Sequence, residues 1–483
     1  MPLPASTKAR PSKPRADSAG AKAPQEALTA SPAHDFAYSR VQFQQMVEDT
    51  LSFAKSIGAT DAATEVSEGA GLSVSVRKGR IENVERNRDK SMGITVYVGQ
   101  RRGNASSSDF SKAALEQTVR AAFDIARFTA EDPAAGLPDQ ENLATAEDAA
   151  RELDLFHPWR IVAADGIEIA KRCEGAAMEV DSRITNSEGA GVSAQQSHFY
   201  TGNSRGFRGG YASSRHSLSV APIAGRGSNM QRDSWYSSMR DPRELASPEA
   251  VGRYAAERAL SRLNSRKVPT CQVPVLFEST AAAGLMGALV QATSGGALYR
   301  KSTFLLDSLG TQVTSDHIDI HEDPFVLKGK GSSPFDDEGV ATKAGDIVTG
   351  GVLQMYFLAS YSARKLGMQT NGHAGGSHNM TMTSRLTQRG DNLRAMLKKL
   401  DRGLFVTELM GQGVNYVTGD YSRGAAGYWV EKGKIVHPVE EITIAGNLRD
   451  MLKNIVAIGS DTYCMGTKTV GSVLIEQMKI AGS

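Results

Sequence analysis

Histidine, glutamate and cysteine are the residue types from which a hydrolytic metal centre is built, and their spacing in this 483-residue chain is informative. Histidine is followed by glutamate once, at His321-Glu322, and the next residues are Asp323-Pro324-Phe325-Val326. A zinc-protease helix needs a second histidine one turn later, so that two imidazoles converge on one ion while the glutamate activates water. Phe325 and Val326 remove that ligand at either spacing, and Pro324 breaks the helix that would present it. His34, His157, His198, His216, His317, His373, His378 and His437 are each followed by a residue other than glutamate. His317, Asp319 and His321 alternate with Ile318 and Ile320. On a strand the three polar groups share one face, either as a metal-binding ladder or as surface groups opposite an inward pair of isoleucines. Asp336-Asp337-Glu338-Gly339 offers either a hard-cation site or an acidic turn after Pro334.

Other chemistries find less support. The glycines of 411–413 and 418–427 lack the Gly-Lys-Ser/Thr of a phosphate loop and read as tight turns between strands. No G-x-S-x-G nucleophile elbow is present. Cys173, Cys271 and Cys464 are far apart, which argues against a disulfide framework, and Cys173 lies on a helical apolar stripe with Ile169, Ala177 and Val180. A net charge of +2, partly carried by Lys8, Arg10, Lys13, Arg15 and Lys22, leaves the body nearly neutral and argues against direct nucleic-acid binding. No apolar run reaches the roughly 20 residues of a membrane span.

The elements that must position these residues divide the chain. Residues 1–36, rich in Ala, Pro, Ser and Lys without an apolar signal core, read as a disordered tail, and a cytoplasmic location follows. Residues 37–245 read as an α+β domain. Ser39 and Gln42 form a capping box ahead of Phe43, Val47, Leu51 and Ala54 at helical spacing. Alternating strands follow around a Lys78-Gly79 turn, then a helix through Leu115, Val119, Ala122 and Ala126, giving an antiparallel sheet covered by helices on one face. The polar stretch 184–240 reads as exposed antiparallel strands. Residues 246–269 read as a helical linker capped at Ser247-Pro248, and 270–483 as a β-rich domain of short strands and glycine turns.

The strings SGGALYRKSTFLLDSLG (294–310), IHEDPF (320–325), SSPFDDEGVAT (332–342), YSARKLGM (361–368), VTELMGQGV (406–414), TGDYSRGAAGYWVE (418–431) and EITIAGNL (441–448) closely resemble the PmbA/TldE proteins of the TldD/PmbA peptidase family. That resemblance implies a heterodimeric metalloprotease in which the TldD-type partner carries a His-Glu-x-x-x-His helix and the zinc, while chains of the present kind lack the motif. Here the corresponding segment, 281–290, holds no histidine or carboxylate. The TldD-type third ligand, a cysteine near the C-terminus, falls in the region of Cys464. The implied role is a non-catalytic subunit with no cofactor of its own that presents unfolded peptides, such as peptide-antibiotic precursors or antitoxins, to the partner; a homodimer is the form open to the isolated chain. Tyr299, Arg300, Lys301, Arg364 and Arg423, basic or aromatic groups within the most family-like strings, are candidates for the peptide path or the partner contact. The alternatives are an interaction protein of the DNA-gyrase-modulator type and an independent hydrolase with an unconventional metal site at His317 and His321.

Overall fold

Helix α1 (Arg40–Ser56) starts where its cap dictates: Ser39 Oγ accepts from Gln42 N–H at 3.3 Å, and the Gln42 side chain accepts from Ser39 N–H at 2.8 Å. The computed structural model describes residues 36–482, so the tail read at 1–36 lies outside it except for Phe36. Phe36 stacks on His198 at 4.0 Å, and the N–H groups of Ala37 and Tyr38 donate to buried Glu68. Residues ahead of the helix cap are therefore tied to the sheet from Phe36 onward.

Strands Asp61–Arg77 and Arg80–Val98 pair as a long hairpin whose Lys78-Gly79 turn has positive φ at both residues, 51° and 70°. Such a turn matches the right-handed twist of its strands, and Glu174 fastens it by accepting from both turn N–H groups at 2.8 Å. The sheet continues through Arg101–Ser107 on one side and through Ile184–Asn203, Ala212–Ala224 and Trp235–Met239 on the other, all antiparallel. Helices α1 and α2 (Lys112–Phe128) cover one half of a face; α3 (Ala163–Met178) and α4 (Pro248–Ser261) cover the other. The polar strands of 184–240 are not simply exposed as read: their covered face itself carries polar groups, among them His198, Ser214 and His216, all buried. Cys173 is fully buried, and burial pushes its thiol up to about 12.

Residues 246–269 differ from a free linker. Val251, Tyr254, Ala255 and Ala259 of α4 are buried in the same core as α3. A Cβ at Gly252 would stand 2.2 Å from the Cys173 carbonyl, so this glycine permits the close helix contact. The other end of α4 grips the C-terminal half. Arg258 bridges Glu278 (2.8 Å) and Asp233 (3.2 Å) beneath the Trp235 ring, and Arg262 pairs with Glu408.

The C-terminal half contains two six-stranded sheets around one buried helix, α5 (Ser279–Ala292). In the first, the strands Gly403–Met410, Cys271–Phe277 and Val473–Ala481 are central, and Lys434–Asn447 pairs with both Asp420–Glu431 and Val473–Ala481, closing five strands into a ring. In the second, Ile318–Asp323 lies between Gly345–Thr349 and Asn379–Ser384, and the sheet continues to Lys468–Val470 and Tyr463–Met465. Leu285, Met286 and Leu289 of α5 pack into a core shared with Ile318, Ile320, Met380 and Val406. Among the described residues no helix is long and apolar enough to cross a membrane.

Candidate functional site: helix α5 and the Glu322 cluster

α5 occupies the position that the sequence resemblance assigns to a zinc helix, and its composition decides what it can do there. Its fourteen residues are Ser, Thr, Ala, Gly, Leu, Met, Val and Gln. The glutamate at its start, Glu278, is already engaged by Arg258 and by Thr280 Oγ1 at 2.9 Å. Nothing on this helix fits zinc in the way two imidazoles and a glutamate would. Small side chains leave room instead. A cavity of about 90 Å³ is lined by Ala281, Gly284, Leu285 and Ala288 of this helix together with Tyr421 and Arg423. Tyr421 is 5% exposed, and neither its hydroxyl nor the buried Arg423 Nε has a hydrogen-bond partner. Burial pushes the Tyr421 hydroxyl up to about 12, so it remains a donor at neutral pH.

The other expected residues separate. Arg300 leans on the Tyr299 ring and donates to its hydroxyl at 3.0 Å, while Tyr299 meets Tyr361 edge-on at 5.7 Å. Lys301 is an exposed turn residue with φ 55°. Arg364 is an internal clamp: its guanidinium donates to the carbonyls of Ala134, Gly136 (3.0 Å) and Leu137. Beside it Lys365 and Tyr361 hold Asp132, at 2.8 and 2.7 Å. These partners use up the groups that a peptide would need, so Arg364 ties the two halves of the chain together rather than lining a path.

The His317–His321 ladder does not assemble as a ligand set. His317 is bracketed by Ser384 Oγ (2.8 Å) and the Ile455 carbonyl (2.9 Å), Asp319 accepts from Gly350 N–H (2.7 Å), and exposed His321 pairs with Asp346 (2.7 Å). Ile318 and Ile320 take the inward face, and the third residue of that parity is Glu322, 1% exposed. Cys464 sits exposed on the edge strand Tyr463–Met465.

Glu322 is the centre of a group that sequence reasoning passed over. His373 Nε2 lies 2.6 Å from one carboxylate oxygen, His378 N–H donates to the other at 2.5 Å, and His378 Nδ1 stands 3.6 Å from it. Burial opposes the charge on Glu322, but the two histidines outweigh it and hold the carboxyl down at about 2. Both histidines come from the loop 371–378, which is shaped by positive φ at Gly372, Gly375 and Gly376. The acidic turn anchors that loop: Asp336 accepts from Ala374 N–H at 2.9 Å, and Asp337 N–H donates to the Ala374 carbonyl at 3.1 Å. The Asp336-Asp337-Glu338-Gly339 string is thus a structural turn, whose Asp336 carboxyl is pushed up to about 7 by burial against the pull of its backbone donors. A signal for the cluster existed in the parity of Glu322 with Ile318 and Ile320, but its partners lie 51 and 56 residues away, beyond any local spacing rule.

A helix-covered antiparallel sheet joined to two sheets wrapped around a helix makes an α+β protein. Residues 64–126, 156–263 and 270–482 match, in order, PmbA/TldA metallopeptidase domain 1, central domain and C-terminal domain. The chain is 50% identical over 448 residues to the metalloprotease PmbA of Escherichia coli O157:H7, covering 92% of this chain and 98% of that one. In structure it is similar to a protein of Bacteroides thetaiotaomicron described as a putative modulator of DNA gyrase, with TM-score 0.85, 26% identity, and 91% and 99% of the two chains covered. TldE from Thermococcus kodakarensis shares the fold, with TM-score 0.77 at 20% identity over 90% of this chain and 100% of that one. The chain belongs to the PmbA/TldD family, and within it to the PmbA/TldE type.

Proposed function

We propose that this chain is the subunit of a two-chain PmbA/TldD-type metalloprotease that positions peptide substrate, while a TldD-type partner supplies the zinc and the water-activating glutamate. The observation that carries the reading is α5, a buried helix with no ligand side chain where a TldD-type chain would carry two histidines and a glutamate. Along it, the groove bounded by Tyr421 and Arg423 offers a donor and a cation to an extended peptide's carbonyl or carboxylate groups. Substrates are unfolded peptides, because only an unpaired backbone can lie along such a surface. The three cysteines are unpaired, in keeping with the reducing cytoplasm in which we place its action.

The test is reconstitution. The chain alone should leave an unfolded peptide intact, and the same chain mixed with a TldD-type subunit should cleave it. Replacing the partner's motif glutamate by glutamine should abolish cleavage. Proteolysis by the purified single chain, surviving a tenfold dilution of any contaminant, would sink the division of labour.

A further inference from the structure

Glu322, His373 and His378 offer three ligand atoms within 4.8 Å of one another, all from buried residues. The hydrogen bonds around them fix the histidine chemistry. Asn371 donates through Nδ2 to the Tyr356 carbonyl and accepts through Oδ1 from Leu358 N–H, at 2.8 and 3.0 Å, so its side-chain orientation is set by the backbone. His373 Nδ1 lies 2.9 Å from that same Oδ1 and must therefore carry a proton and donate to it. Its Nε2 then faces the Glu322 carboxylate at 2.6 Å either with a second proton or with its lone pair turned to a cation between them. A ligating histidine whose far nitrogen donates to a fixed carbonyl is the arrangement that orients imidazoles on metals. The second histidine supplies an independent observation: His378 is 7% exposed, and its buried Nδ1 points into the cluster, 3.6 Å from the Glu322 carboxylate and short of a full hydrogen bond. A ring nitrogen so placed costs stability unless something binds it.

The surroundings suit a cation reached from outside. Asp337 lies within electrostatic reach of His378, and Glu322 lies within electrostatic reach of Lys468, whose stem passes Gly287 of α5. Between His373 and His378 the chain is Ala-Gly-Gly-Ser, with Gly375 exposed, so a short glycine-rich cover separates the cluster from solvent. One carboxylate with two imidazoles neutralises a divalent ion partly and matches the donor preference of Zn²⁺ and Co²⁺ rather than of Ca²⁺ or Mg²⁺. We propose that Glu322, His373 and His378 bind one divalent transition-metal ion of the Zn²⁺ or Co²⁺ kind, which clips the 371–378 loop to the strand Ile318–Asp323. The metal takes the lone pair of His373 Nε2, any proton there passing to solvent, and leaves the carboxylate and both rings as ligands, with no change of oxidation state. This inference does not rest on the proteolytic reading, since it concerns the isolated chain and residues off α5.

The full chain, freed of metal by chelation and dialysis, is titrated with Co²⁺ and followed by its ligand-field absorption, then with Zn²⁺ as competitor and in a thermal melt. The expected result is ~1 equivalent of Co²⁺ bound with a low-symmetry spectrum, displaced by Zn²⁺, and a melting midpoint raised by a few degrees. His378→Ala and Glu322→Gln should each weaken binding ~100-fold or more, Asn371→Leu by ~10-fold to 100-fold, and Cys464→Ser should leave it unchanged. Should a variant fail to fold, X-ray absorption on the zinc-loaded wild-type chain decides: a nitrogen and oxygen shell including two imidazoles supports the site, and a sulfur ligand overturns it. The absence of any Co²⁺ spectrum or Zn²⁺-dependent melting shift in the wild-type chain, or binding that survives in both His378→Ala and Glu322→Gln, also overturns it.

Discussion

Arg364 and Arg423 stand in family-like strings of equal promise, and their partners give them opposite roles. Arg364 donates to three carbonyls of the 134–137 loop. Its loss removes charge-assisted bonds worth about 2 kcal/mol in sum. Arg364→Ala should therefore lower the denaturation midpoint measured by urea titration, while the protein that remains folded supports cleavage by the reconstituted pair at an unchanged KM. Arg423 donates a long bond of 3.5 Å to the Leu409 carbonyl and keeps its guanidinium beside the Tyr421 hydroxyl, with neither its Nε nor that hydroxyl in a close hydrogen bond. Tyr421→Phe deletes an unsatisfied buried group, so stability should stay the same or rise by up to about 1 kcal/mol. Peptide KM in the reconstituted pair should nevertheless rise several-fold. A stable Tyr421→Phe variant with unaltered KM would remove this groove from the peptide path.

At the scale of elements, α4 does what a linker does not. Its middle is core to the first sheet, while its last turns hold Glu278 at the start of α5 and Glu408 on the Gly403–Met410 strand. Arg258 is the shared cation of Glu278 and Asp233, whose charges raise its own pKa further above the ordinary guanidinium value even though burial works the other way. Removing it leaves Glu278 without its cation and Asp233 with only Arg262 at 3.6 Å in a nearly dry seam, the costly way to break a buried ion pair. Arg258→Ala should cost about 3–5 kcal/mol in the unfolding free energy, seen by guanidinium titration, and should shift the α5 amide protons toward faster exchange. Arg258→Lys, which keeps the charge but not the forked geometry, should recover only part of the loss.

At the scale of the whole molecule, a second ion-paired seam joins the halves: Asp241 receives Arg243 at 2.7 Å and Lys328 at 2.9 Å, and Lys328 also reaches Glu244 at 2.9 Å. Hydrogen bonds from Arg243, then from Lys328, hold the buried Asp241 carboxyl well below the usual 3.8. A depressed carboxyl stabilises the fold fully above its unfolded pKa, and that contribution fades as pH falls through the lower folded value. Stability measured against pH should thus decline below about 4 in the wild-type chain. Asp241→Asn should be less stable at pH 7 and show a shallower acid decline. The N-terminal boundary makes a companion test by circular dichroism melts. Removing residues 1–34 should leave stability unchanged, since α1 keeps its cap and Glu68 keeps its donors. Removing residues 1–38 should lower the melting midpoint, because Phe36 leaves His198 and buried Glu68 loses the N–H groups of Ala37 and Tyr38.

By itself the sequence determined what depends on near neighbours along the chain. The Ser39–Gln42 cap of α1, the Lys78-Gly79 turn, the start of α4 at Ser247-Pro248 and the burial of Cys173 each rest on a few adjacent residues or one periodic stripe, and each appears as read. The missing ligands of α5 were legible for the same reason, since a zinc helix is a local pattern. What only the tertiary structure decided involves partners distant in sequence. The sequence marks Arg364 only as a candidate for the peptide path or the partner contact, and its bonds to the 134–137 loop, some 230 residues away, appear only in the fold. Glu322 was half of a failed motif until a glycine loop returned His373 and His378 to it. The ladder of His317 and His321 is the less favoured of two readings of its spacing, and a strand's neighbours set what its side chains meet. Ser384, Ile455 and Asp346 claimed those imidazoles separately. Local propensity fixes where elements begin and which face turns inward; which charged groups converge is settled by the cross-strand register and loop closure that bring distant segments together.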